Sequence, residues 1–178
     1  MKFSNQKNAI IASDMYGIFD LNQKKLNYIV DTEKLLIKCG YNVTVCSVPN
    51  IAGITNFTKE SMHSQYISTG IERAAHTLAE SCLSYDLAIG FSVGGTVFWK
   101  ASKYFDKFTK ELICVSSTRL RYEKEPIIAK THLIYGGNDI YKPDIMCMKA
   151  LANSYQILDK LEHEFYRSYD IRKIICEC

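Results

Sequence analysis

The sequence predicts a three-layer α/β fold, a mostly parallel sheet of about six strands between two layers of helices. Three observations lead to it. Short apolar runs rich in β-branched residues alternate with longer stretches whose apolar residues recur at helical spacing. Several of the short runs end in turn-like sequences rich in glycine and asparagine or aspartate, as strands do where they leave a sheet. The chain has 178 residues, 47% of them hydrophobic, with no Pro/Gly/Ser-rich linker or shift of composition, which implies a single domain over residues 1–178.

In chain order, Ala9 to Ser13 is too short for a helix and runs into Asp14-Met15-Tyr16-Gly17, a strand and its loop. From Leu21 to Cys39, Leu26, Ile29, Val30, Leu36 and Ile37 recur at helical spacing, and Gly40 is the stop signal. Tyr41 to Val48 is a β-branched strand ended by Pro49, followed by a loop to about Met62. Ile67, Ile71, Ala74, Ala75, Leu78 and Cys82 form one apolar helical stripe, with His63 and His76 expected on polar faces. Leu87, Ala88 and Ile89 end a buried strand, and Gly94 to Phe105 is the helix after it, with Trp99 covering a neighbouring element. The remaining elements are a strand over Leu112 to Ser116, a strand over His132 to Tyr135, a helix over Ile145 to Asn153, a short strand over Tyr155 to Leu158 and a closing helix over Glu164 to Ile175.

Composition narrows the function. The formal net charge is +3, with basic and acidic residues intermixed, which gives nucleic-acid binding no support. MKFSNQKN lacks the apolar core of a signal peptide, and no apolar run approaches the roughly 20 residues that span a bilayer, so a soluble, cytoplasmic protein without a membrane partner is expected. The seven cysteines include no CxxC pair, which suits thiols in a reducing compartment. Cys176 and Cys178 are the only close pair, and an ordinary chain terminus is favoured over a metal or disulfide site.

The chemistry concentrates in YDLAIGFSVGG, residues 85–95, where a strand feeds a Gly-x-Ser-x-Gly sequence that opens a helix. Such a nucleophile elbow exposes Ser92 on a sharp turn that Gly90 and Gly94 make possible, and aims the Val93 N–H where an oxyanion would form. Two later strand ends present Asp139 and His163, giving the chain order Ser, Asp, His. A serine hydroxyl needs an imidazole to take its proton, and the imidazole needs a carboxylate to fix its tautomer. Each residue also has a plainer reading, Ser92 as a solvated turn serine, Asp139 as part of an Asn-Asp turn and His163 as a cap or surface residue. Their joint placement at strand ends favours the triad.

With IIASDMYGI at the first strand, GFSVGG at the elbow, HLIYGGNDIYKP at the acid turn and YQILDKLEHEFY around the histidine, the sequence resembles the α/β-hydrolase superfamily. Within it, the chain is most similar to the dienelactone hydrolase-type and small carboxylesterase branch, over nearly its whole length. The resemblance implies a compact α/β-hydrolase fold, no cofactor or metal, and a second oxyanion donor at the Met15 N–H. Dienelactone hydrolases use cysteine where this chain has Ser92, so ester or thioester hydrolysis is implied rather than their named reaction. That family's acidic residue before the oxyanion donor corresponds to Asp14, which either tunes Ser92 or caps the loop.

Only about a dozen residues join the strands at Leu112 and His132, too few for a cap domain, so an open site is expected. Arg119 and Arg121 follow a strand end on the side of the site and are suited to an anionic substrate group. Their alternative role is a solvated turn paired with Glu123 and Glu125. Tyr16 and Asp14 complete the candidate substrate-binding set, with Arg119 favoured over Arg121. The function expected is a serine hydrolase acting on a small ester or thioester, and the alternative is a non-catalytic α/β-hydrolase-like domain that binds a ligand or partner. A phosphate-binding turn at Gly90 to Gly95 ranks last, because no Gly-Lys-Ser/Thr ending or Gly-x-Gly-x-x-Gly spacing accompanies it.

Overall fold

A computed structural model describes residues 6–19, 24–170 and 175 of the chain. Six strands form one sheet: β1 (Lys7–Ala12), β2 (Tyr41–Cys46), β3 (Tyr85–Phe91), β4 (Thr109–Val115), β5 (Lys130–Gly136) and β6 (Ser154–Leu158). Their order is β2-β1-β3-β4-β5-β6, and every neighbouring pair is parallel. Successive side chains point to opposite faces of a strand, so the apolar runs divide between two cores. Ile10, Ala88, Leu112 and Leu133 enter one, and Ile11, Ile89, Val115 and Ile134 enter the other.

Helix α1 (Asn27–Lys38) covers the second face, with Tyr28, Ile29 and Leu36 turned inward. The first face is covered by α2 (Val48–Ile51), α4 (Ile71–Glu80), α5 (Val93–Tyr104) and α6 (Ile145–Leu151), and α3 (Lys59–Gln65) adds Met62. Nine of the twelve residues of helix α5 are buried, and Val97, Phe98 and Trp99 have no exposed surface. Each large side chain buried in this way stabilises by roughly 1.5–3 kcal/mol, so the helix that begins at the elbow is among the most firmly held elements. The chain leaves β1 for β2 at the sheet edge, then returns to β3 on the other side of β1. At such a reversal the loops after two neighbouring strands diverge and leave a crevice at their carboxyl ends.

The elements follow the sequence closely, with physical reasons for the differences. The strands begin earlier than expected, at Lys7, Thr109, Lys130 and Ser154, because polar residues at strand starts still join the ladder. Ser13 and Ser116 lie just beyond β1 and β4, and Ser116 takes a positive φ of 49° that ends its strand. Helix α1 starts at Asn27, not Leu21; residues 21–23 lie outside the described part, and Leu26 is extended. Pro49 does more than end β2: proline is tolerated in the first turn of a helix, and here it helps to open α2.

The stripe from Ile67 to Cys82 is not one helix. A π turn over Tyr66–Gly70 separates α3 from α4 and shifts the helical phase, so Ile67 is 47% exposed while Ile71 is buried. Trp99 lies in the core rather than over a neighbour. The expected closing helix from Glu164 is a single 3-10 turn, Phe165–Arg167, and residues 171–174 lie outside the described part. Cys39 is disulfide-bonded, against the expectation of thiols throughout, whereas Cys46, Cys82, Cys114 and Cys147 are free. Cys176 and Cys178 lie outside the described residues. Among the described residues, no helix is long and apolar enough to cross a membrane.

Candidate active site

The crevice between the ends of β1 and β3 holds the candidate residues. Ser92 sits between β3 and α5 with φ 50° and ψ −121°, an uncommon conformation for a residue bearing a Cβ. Its N–H donates to the Val115 carbonyl at 2.8 Å, which ties the turn to β4. The flanking glycines are steric requirements. A Cβ on Gly90 would lie 2.4 Å from the Gly95 backbone, and one on Gly94 would lie 2.3 Å from the Ser13 carbonyl oxygen.

Asp139 and His163 are brought together by backbone pairing between the loops that follow β5 and β6. Gly137 N–H donates to Leu158 O at 2.7 Å, and Asn138 N–H donates to Leu161 O at 2.9 Å. The fully buried Asp139 accepts the Tyr141 N–H through Oδ1 at 2.8 Å and places Oδ2 2.9 Å from His163 Nδ1. His163 Nε2 lies 3.0 Å from Ser92 Oγ. Because an ionised carboxylate only accepts, Nδ1 carries the ring proton and the Nε2 lone pair is directed at the serine hydroxyl. The Tyr141 ring meets the His163 ring edge-on at 5.1 Å.

The loop after β1 provides the opposite lip. Ser13 Oγ accepts the Val48 N–H at 3.0 Å and donates to Asp14 O at 2.9 Å, which joins the loop to α2. Asp14 Oδ1 accepts the Tyr16 N–H at 3.0 Å, so the capping role considered for Asp14 is present. The same carboxylate also has partners that local sequence patterns do not indicate. Its Oδ2 accepts from the Tyr166 hydroxyl at 3.2 Å and pairs with Arg167, while its N–H donates to the Tyr28 hydroxyl at 3.2 Å. Burial pushes the Asp14 carboxyl above its ordinary value, against the opposing pull of Arg167, the Tyr16 N–H and the Tyr166 hydroxyl. Burial likewise raises the Tyr28 and Tyr166 phenols, so both stay protonated, Tyr28 accepting the Asp14 N–H and Tyr166 donating to its carboxylate. The Tyr66 hydroxyl donates to Met15 O at 3.2 Å, fixing the peptide on the other side of Met15. Among the described residues, neither the Met15 nor the Val93 N–H donates to a protein acceptor, and both residues line the cavity beside Ser92.

The cavity has a volume of about 560 Å³ and is open to solvent. All nine expected site residues except Asp139, which lies behind His163, contribute to its wall. Arg121 is engaged structurally: Nη1 donates to the Thr118 carbonyl and, at 3.1 Å, to the Tyr141 carbonyl, and Nη2 donates to the Tyr122 hydroxyl at 3.0 Å. Arg119 rests over the Tyr122 ring at 4.9 Å. The expected alternative, pairing with glutamates, is not present at Glu123, whose carboxylate pairs with Lys103 and, at 3.7 Å, with Lys100. His63 lines the cavity mouth with Lys59 and Glu60, and His76 stacks on Tyr104 at 4.0 Å. No group of three or more His, Cys, Asp or Glu side chains that could hold a metal occurs among the described residues.

No protein-family profile and no curated protein matches the sequence. Similarity appears at the level of structure. A CIB-like hydrolase from Thermoplasma acidophilum superposes with a TM-score of 0.65 at 18% identity, over 96% of this chain and 84% of that one. An α/β hydrolase from a metagenome of lagoon sediments in Morocco gives 0.64 at 17% identity, over 92% and 85%. A lidless α/β serine hydrolase from Xanthomonas campestris gives 0.53 at 12% identity, over 91% and 75%. With its six parallel strands and two helical layers, the chain has the compact fold of the α/β-hydrolase superfamily.

Proposed function

We propose that the protein is a serine hydrolase of dienelactone hydrolase-like type that cleaves a small ester or thioester through an acyl-enzyme. The observation that carries this reading is the continuous path from Asp139 Oδ2 through His163 to Ser92 Oγ, with links of 2.9 and 3.0 Å, ending at a strained turn inside a cavity. In the reading, Ser92 Oγ attacks the carbonyl carbon as its proton passes to His163 Nε2. The resulting oxyanion is held by the N–H groups of Val93 and Met15. Collapse breaks the bond to the leaving oxygen or sulfur, which takes the proton from His163. Water then attacks the acyl-enzyme, giving one proton to His163, and the second collapse returns that proton to Ser92 as the acid departs.

The rest of the site fits these roles. Asp139 fixes the imidazole tautomer and stabilises the imidazolium. The partners of Asp14, together with Tyr66, hold the loop that carries the Met15 donor. Arg119, which donates no hydrogen bond to any described residue, supports an anionic group on the substrate. Ser92→Ala tests the reading: turnover of p-nitrophenyl butyrate should fall more than about 1,000-fold while stability changes by no more than about 1 kcal/mol. Retained turnover in that variant would exclude the mechanism.

A further inference from the structure

The cavity has two chemically different walls. One is apolar, built by Tyr66, Ile67 and Ile71, and it is joined to the candidate oxyanion loop through the Tyr66 hydroxyl on Met15 O. The other carries Arg119, Arg121, Tyr141 and His163, which are joined by stacking contacts, partly through Tyr122 outside the lining. Arg119 lies over the Tyr122 ring at 4.9 Å, Arg121 lies over the same ring at 4.5 Å and over Tyr141 at 5.5 Å, and Tyr141 abuts His163.

In the proposed reaction the leaving group takes its proton from His163, so it must sit at the wall that is continuous with His163. The acyl group, on the other side of the carbonyl carbon, falls to the apolar wall. Arg121 commits three of its five N–H donors to Thr118, Tyr141 and Tyr122, whereas Arg119 is the guanidinium on the leaving-group wall with no hydrogen bond or ion pair among the described residues. A guanidinium fork matches the geometry of a carboxylate or a phosphate.

We infer that Arg119 binds a carboxylate or phosphate carried by the leaving alcohol or thiol, and that the acyl part of the substrate is uncharged. This rests on the serine-hydrolase reading and assigns the charge to one half of the substrate. The competing placement puts the anion on the acyl half, against Lys59 and His63, which line the mouth from α3 beside Glu60.

The test compares kcat/KM for wild type, Arg119→Ala, Arg119→Lys and Lys59→Ala on four esters: phenyl butyrate, 3-carboxyphenyl butyrate, 3-phosphonooxyphenyl butyrate and phenyl hemisuccinate. Arg119→Ala should lose about ten- to hundredfold on whichever of the two anionic-leaving-group esters carries the matching anion, and less than about twofold on phenyl butyrate and phenyl hemisuccinate. Arg119→Lys should recover part of the loss, since an ammonium lacks the fork. Equal losses on all four esters, or a loss confined to phenyl hemisuccinate in either Arg119→Ala or Lys59→Ala, would overturn the assignment. Binding of 3-hydroxybenzoate and 3-hydroxyphenyl phosphate, measured by calorimetry, reads the anion site without turnover. At least one should bind wild type about tenfold or more tightly than Arg119→Ala, and for neither ligand to distinguish wild type from Arg119→Ala would overturn the assignment even if every ester is hydrolysed. If the Arg119-dependent binding is present but no ester is turned over, the anion site stands and the hydrolase reading fails.

Discussion

Replacing Arg167 with alanine should destabilise the protein and loosen the site although Arg167 is not part of the proposed triad. Asp14 is 1% exposed, and Arg167 is its cationic partner across 153 positions of sequence. Breaking a fully buried pair by removing one member costs about 3–5 kcal/mol, because the remaining charge is left uncompensated. The Arg167 side chain keeps 29% of its surface in solvent, and Asp14 retains the Tyr16 N–H and Tyr166 hydroxyl. Screening and these remaining donors reduce the expected loss to about 2 kcal/mol. For a chain of this length that corresponds to a fall in Tm of about 4–8 °C, readable by differential scanning calorimetry. Adding Asp14→Asn to Arg167→Ala should recover part of the loss, since the orphaned charge is then removed. If Arg167→Ala moves Tm by less than about 1 °C, or if the double variant is less stable than the single one by the full cost of Asp14→Asn alone, the pair does not clamp this loop.

Two further outcomes follow from the same region. Because burial raises the Asp14 carboxyl in the folded state, the folded protein holds that proton more tightly than the unfolded chain, so the contribution to stability is complete below the ordinary carboxylate value of about 3.9 and is lost as pH rises through the folded value. The stability of wild type relative to Asp14→Asn, from urea midpoints, should therefore shrink as pH rises above about 4, and a gap that widens with pH would show that Arg167 outweighs burial. Gly94→Ala should impair both folding and turnover, because its Cβ would lie 2.3 Å from the Ser13 carbonyl oxygen and force apart the two loops that carry Met15 and Ser92. Wild-type kcat/KM in a folded Gly94→Ala variant would contradict that account.

The parts of the site set by local backbone constraint were legible in the sequence. Gly90-x-Ser92-x-Gly94 fixes a strand-to-helix turn within five residues, and Gly-Gly-Asn-Asp after β5 marks the strand end that presents Asp139. Contacts between distant segments were not legible. The pairing of Asp14 with Arg167 has no local pattern, and its one sequence signal was a carboxylate just past a buried apolar strand, which requires a partner if it too is buried. Phe165, Tyr166 and Tyr169 lie at helix-like spacing within the segment expected as a closing helix, Glu164 to Ile175. In the fold, Tyr166 packs edge-on against Tyr28 at 5.1 Å and binds Asp14, and the backbone there closes only a 3-10 turn. The π turn at Tyr66–Gly70 was likewise hidden, since a one-residue change of helical phase leaves no mark on composition. It turns Ile67 away from the core and into the wall of the cavity.

In the proposed mechanism Ser92 is a nucleophile activated by His163. Incubation with a fluorophosphonate probe, followed by proteolysis and mass spectrometry, tests it most directly, since the probe phosphonylates a serine that attacks while a base takes its proton. A single adduct is expected on the peptide containing Ser92, lost in Ser92→Ala and strongly slowed in His163→Ala. An unlabelled wild-type protein, or an adduct elsewhere that persists in Ser92→Ala, would contradict it.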